Sequence, residues 1–285
     1  MNPDLLSVVV RTLALAGVLQ AAGAAFFVVL FGPWLLRSGQ RIRRLGYQAA
    51  LAGMALLAAQ QWLRGARLAD SYAGLVDPAL QRLAWGDSGG QAAWLQLAGL
   101  AVIACGLARQ GRAAAGVAAA GAAIAACAFA LTGHTSEHAP RALLAPLLCV
   151  HLLVVAFWFG ALLPLYLCIR HEARADAVAL LRAFSGVAGW LVPAIGVAGL
   201  ALAVMLIPAA NTWRAPYGLL VLTKLGAFGL LLLLAAWNRW WAVPAIAAGD
   251  APAAPRALRR SIAIEYLLLA AVLAVTALLT SFYSP

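Results

Sequence analysis

The chain has 285 residues, of which 65% are hydrophobic and 10% charged, and a formal net charge of +11 at pH 7. Soluble domains sit near half apolar and a quarter charged, so a soluble fold cannot hide this much apolar surface and lipid must cover it. The apolar residues form long runs rather than alternating, which argues against a transmembrane barrel.

A helix needs roughly 20 apolar residues to cross a bilayer. Eight such runs are predicted, at about 5–31, 42–63, 92–109, 113–132, 142–169, 180–206, 217–240 and 262–283, separated by Gly, Pro and Arg clusters. The fold class expected is therefore all-α: a polytopic integral membrane protein, a bundle of eight transmembrane helices forming a single domain over 1–285.

The positive charge is a topology signal. Of 20 basic residues, 13 fall in the connections after runs one, three, five and seven, such as Arg41, Arg43 and Arg44 or Arg256, Arg259 and Arg260. Five fall after runs two, four and six (Arg64, Arg67, Arg82, Arg141, Arg214), and Arg11 and Lys224 lie inside runs. Lys and Arg accumulate on the cytoplasmic side. Both termini are thus expected outside, and no nucleic-acid partner is expected. The first residues lack a basic n-region, so run one reads as a retained helix rather than a cleaved signal.

In chain order, run one carries Arg11 about 9 Å below its outer end, placed either to snorkel outward or to serve a pore or headgroup. Run two holds Met54, Gln60, Gln61 and Trp62. The outer loop at 64–91 is the longest connection, and its middle is predicted to form a short surface helix. Run four is almost pure Ala and Gly, which lets helix backbones approach closely and places it centrally. Run five contains His151, about 13 Å into the membrane, with Trp158 two turns further on the same face. Trp158 and Trp190 lie away from the interfaces where Trp usually sits, which suggests buried packing or a cofactor wall. Lys224 and Glu265 differ by about 15 Å in depth, so each is expected to find its own partner or to snorkel. Offsetting the chain by 131 residues sets Gln20 on His151 and Pro33 on Pro164, consistent with a parallel four-plus-four duplication.

The stretch from Gly133 to Pro164 carries the chemistry. Three of the four histidines, His134, His138 and His151, fall within it in the spacing His-x3-His-x12-His. Imidazole suits copper, zinc, iron and nickel, and soft sulfur suits Cu(I). His134 and His138 are one helical turn apart. They form either one site with His151 or an entrance above it. Met54, Met205, Cys127 and Cys149 are candidate soft ligands, and depth favours Met205 and Cys127. The competing readings are loop histidines in contact with Glu137, a proton relay, and a His151 bonded to Gln20. A single haem b held by histidines on facing helices is the alternative cofactor. No hydrolase constellation or phosphate-cradling loop stands out, so no enzyme activity is expected.

Several elements together carry a resemblance: Gly133-His134 before a break; His151-Leu152-Leu153 with Phe157-Trp158-Phe159-Gly160-Ala161-Leu162-Leu163-Pro164; Arg182-x-Phe184-Ser185; Tyr217-Gly218 with Lys224; Asn238-Arg239; and Glu265. In this order the chain resembles the copper resistance protein D (CopD) family, most strongly over about 130–283. The resemblance implies a multi-pass protein of the bacterial inner membrane with both termini periplasmic. It also implies movement of copper ions from the periplasm toward the cytoplasm and cooperation with a periplasmic carrier of the CopC type. His134 and His151 match the family's histidine positions. With only three methionines in the chain, a thioether relay is disfavoured and imidazole ligation favoured. A scaffold that docks a periplasmic partner is the third reading.

Overall fold

A computed structural model describes residues 3–131, 141–206, 213, 216–249 and 251–282, without the side chains of 3, 141–143 and 206. Among these residues all regular structure is helical. The elements are α1 (Pro3–Phe31), α2 (Gly39–Leu68), α3 (Pro78–Gly86), α4 (Ser88–Leu107), α5 (Arg112–Cys127), α6 (Arg141–His171), α7 (Arg174–Leu206), α8 (Pro216–Trp237), α9 (Val243–Ala248) and α10 (Ala254–Phe282). A π turn at Asn238–Ala242 joins α8 to α9, so that Pro216–Ala248 forms one apolar rod. Among the described residues, seven helical segments are long and apolar enough to cross a membrane. The eighth run expected at 42–63 lies in α2, which has 30 residues but is less apolar than the others.

The core is built where small residues let backbones meet. α1 crosses α6 at Gly23 and Gly160, where a Cβ on Gly160 would sit 2.7 Å from the Leu19 carbonyl oxygen. Gln20 fixes this crossing by donating to the Gly160 carbonyl at 3.0 Å, and so does not serve His151. The Ala/Gly-rich α5 packs on α4 in the same way: a Cβ on Gly99 would lie 2.7 Å from Ala125 N, and one on Gly106 2.6 Å from Ala118 N. Phe27, Phe31 and Phe159 fill the remaining volume at 1% exposure or less.

Polar ties close each end of the bundle. At one end, Arg67 bonds Asp4 at 3.1 Å and the Ser281 carbonyl at 3.3 Å, and its guanidinium stacks over Phe282. Arg11 reaches the Thr280 carbonyl at 3.4 Å. Cationic groups here meet the carbonyl end of α10, where the helix dipole favours them. Next to this, Arg64 pairs with Asp87, which caps α4 through Gly90 N–H at 2.8 Å. Burial pushes the Asp87 carboxyl up, but Arg64 and the Gly90 N–H outweigh it and hold it below the usual carboxylate range. The short helix expected in the 64–91 loop is α3, capped by Asp77 and fastened by Gln81 to the Trp62 and Gly74 carbonyls.

At the opposite end Glu172, between α6 and α7, accepts from the Arg37 N–H at 3.0 Å, the Ser38 N–H at 2.8 Å and the Ser38 hydroxyl. A carboxylate 134 residues away in sequence from Ser38 thus caps the start of α2, where the dipole favours negative charge. Arg174 likewise donates to the Ile246 and Ala247 carbonyls at the end of α9, at 2.7 and 3.1 Å. Arg37, Arg41, Arg43 and Arg44 surround a surface cavity of about 630 Å³, and Arg43 bonds the Arg109 carbonyl at 2.8 Å.

Glu172 makes the fold acid-sensitive. Burial raises its pKa, yet the Ser38 hydroxyl and the Ser38 and Arg37 N–H groups lower it more, so it titrates below its ordinary value. Its stabilisation is complete above the unfolded value of about 4.3 and is lost as pH falls through the folded one. Glu172→Gln should lower stability at neutral pH by about 1.5–3 kcal/mol. Thermal unfolding in detergent below about pH 4 should then show a smaller acid-induced drop for the variant than for the wild type.

Candidate functional site

α6 organises the site. His151 and Trp158, two turns apart on this helix, share a face. His151 fits against α7 because position 199 is glycine: an added Cβ there would lie 3.4 Å from the ring Cε1 and 3.6 Å from Nδ1. Nδ1 is buried and makes no hydrogen bond of proper geometry, although the Ile195 carbonyl approaches the ring as a hydrogen-bond acceptor. Lys224 on α8 is also within electrostatic reach of the ring. α7 and α8 thus flank an imidazole whose buried Nδ1 has no hydrogen bond of proper geometry. Burying such a group without a bond costs roughly 1–3 kcal/mol.

His134 and His138 lie outside the described residues. Cys149, two positions before His151, faces the other way, with Sγ 4.0 Å from the Cys127 carbonyl and the two thiols side by side. Cys127 thus pairs with Cys149 rather than with His151. Met205 lies six residues past Gly199, about 9 Å along α7, and is 38% exposed. His171 sits at the far end of α6 with Nδ1 2.9 Å from the Leu167 carbonyl. No group of three or more His, Cys, Asp or Glu that could hold a metal ion occurs among the described residues.

Below His151, Trp158 is 4% exposed and meets Phe228 edge-on. Trp190, expected to be buried, is 85% exposed and faces the molecular surface from α7. Trp158 also walls a cavity of about 410 Å³ between α7 and α8, floored by α6 and α10. Glu265 enters this cavity at 3% exposure, held by the Asn238 amide. Lys224 is not its partner, in line with the depth difference read from the sequence. Asn238 is placed by the π turn, a local widening of the helix often found at functional positions. The sequence marks Asn238 and Glu265 separately, and the fold brings them together.

Neither a curated protein nor a solved structure matches the chain. Two family models do: residues 1–141 match the copper resistance protein D-like N-terminal domain, and residues 178–279 match copper resistance protein D. Covering both halves of an all-helical, span-rich chain, these matches place it in the copper resistance protein D family.

Proposed function

We propose that the protein carries copper ions across the bacterial inner membrane, from the periplasm toward the cytoplasm, with His134 and His138 as the outer station and His151 as the inner one. The buried, unsatisfied Nδ1 of His151 is the observation that carries this reading. A neutral imidazole nitrogen without a partner inside an apolar helix is a ready ligand for a transition metal. Loss of water by the ion is then offset by ligand exchange, and no covalent chemistry is required. Cys127 and Met205 serve as secondary soft ligands near the outer end.

Parity supports eight crossings. The start of α1 and the end of α10 are tied at the same end of the bundle through Arg67, so an even number of passes joins them. α2, running from the Glu172 tie to the Arg67 tie, supplies the eighth. The arginine-rich end is the cytoplasmic one by charge, which leaves both termini periplasmic, within reach of a CopC-type carrier. The boundary between the two family matches falls near the middle of the chain, in keeping with a four-plus-four duplication.

Haem b draws no support from the family. A spectrum and elemental analysis of one purified sample test the choice. Copper without a Soret band is expected, and retention should fall in His134→Ala and His138→Ala. Unchanged copper retention and uptake in both would remove the reading.

A further inference from the structure

The Glu265 cluster has a property that copper ligation by histidines does not use. The Asn238 Nδ2 donates to the Glu265 carboxylate, and the Trp158 indole and Ser261 hydroxyl lie close enough to interact with it. These groups suit the ionised acid. One acceptor in the same cluster, Asn238 Oδ1, is buried and unused. It suits the protonated acid, which needs a place to send its O–H. Rotating the Asn238 amide by half a turn exchanges a donor for an acceptor, so one side chain serves both states. No cation pairs with the carboxylate among the described residues.

An intramembrane carboxyl of this kind marks an ion or proton path. Its oxygen-rich surroundings suit a proton or a hard ion better than Cu(I). The adjoining cavity, about 410 Å³, has room for several waters at about 30 Å³ each. Asn238, Ser185 and Arg239 supply polar wall, and Arg239 is the other ionisable group lining it. Arg239 is engaged with the Ser185 carbonyl. Around Glu265, α9 offers no titratable side chain, α6 offers His151 about 10 Å above Trp158, and α8 offers Lys224 farther out. On its own helix, Tyr266 stacks on Phe159, and Arg259 and Arg260 lie toward the inner end.

We propose that Glu265 is a proton-binding site, exchanging a proton with water in this cavity, and that proton movement through it accompanies copper movement. The step is a simple transfer: hydronium in the cavity gives its proton to the carboxylate, leaving water and a neutral acid, and the reverse restores both. The coupling rests on the copper-carrying reading given above, but the proton site does not.

Two measurements separate them. Infrared difference spectra of the detergent-purified protein across a pH series should show a protonated-carboxyl stretch that grows on acidification. It should vanish in Glu265→Gln and change midpoint in Asn238→Leu. A wild-type spectrum with no titrating carboxyl band overturns the site without any variant having to fold. In proteoliposomes containing a pH-sensitive dye, copper uptake should depend on the pH gradient in the wild type and lose that dependence in Glu265→Gln. Uptake that ignores the gradient in the wild type overturns the coupling alone, whereas absence of any copper uptake overturns the copper-carrying reading instead.

Discussion

Gly160→Val abolishes assembly of the bundle: the variant should yield little or no monodisperse protein on size exclusion, and any recovered material should lack the wild-type thermal transition. Overpacking a core normally costs about 1–3 kcal/mol because side chains can shift. At this position the atoms in the way are backbone, including the Leu19 carbonyl and Gly23 Cα and N, and backbone gives only if α1 and α6 separate. Separation would also break the Gln20 bond to the Gly160 carbonyl. The same substitution logic supplies its own control. Gly186 and Gly229 have open space where a Cβ would go, so Gly186→Ala and Gly229→Ala should be neutral or stabilising by up to about 1 kcal/mol through helix propensity. Equal yields for Gly160→Val and Gly186→Ala would mean that the α1–α6 crossing is not close-packed.

His151→Ala should remove copper uptake while leaving yield and melting behaviour close to wild type. Losing an outer-shell partner costs a metal site roughly 10–100-fold, and loss of a ligand should exceed that. The fold should tolerate the change, because the ring's buried nitrogen is unsatisfied and its removal relieves that cost. A structural histidine behaves in the opposite way: stability drops and transport falls only with it. Lys224 sharpens the contrast. Its basic group lies within electrostatic reach of the ring and disfavours a cation there whenever it is protonated, so Lys224→Met should increase copper retention and slow its release. A stable His151→Ala protein with normal uptake would show that copper passes by another route.

Much of the architecture was readable because a membrane helix is specified by composition alone. Seven apolar runs correspond to seven span-sized helices, and the weakest run, in α2, also uses polar residues in packing. Gln61, 3% exposed, donates to the Gly89 carbonyl, and Arg64 meets Asp87. Periodicity placed His151 and Trp158 on one face of α6. It could not rank the two buried-looking tryptophans, because in lipid the outward face of a helix is as apolar as the inward one; Trp190 went outward. Contacts between remote residues were invisible for a different reason. Glu172 reads as a loop carboxylate until α2 begins beside it, and Gly199 reads as one glycine among many until the imidazole of His151 lies over it. Asn238 at the start of the π turn meets Glu265 from another helix, and hydropathy carries no trace of that.

The fastening of Asp4 and Ser281 to one arginine has a bearing on how a soluble protein could be tethered here. Cargo attached to either end hangs from nearly the same point, so leash length rather than choice of terminus sets its effective concentration at that mouth of the bundle. A metal donor fused by a short flexible linker at the front or the back should hand over its ion with similar efficiency.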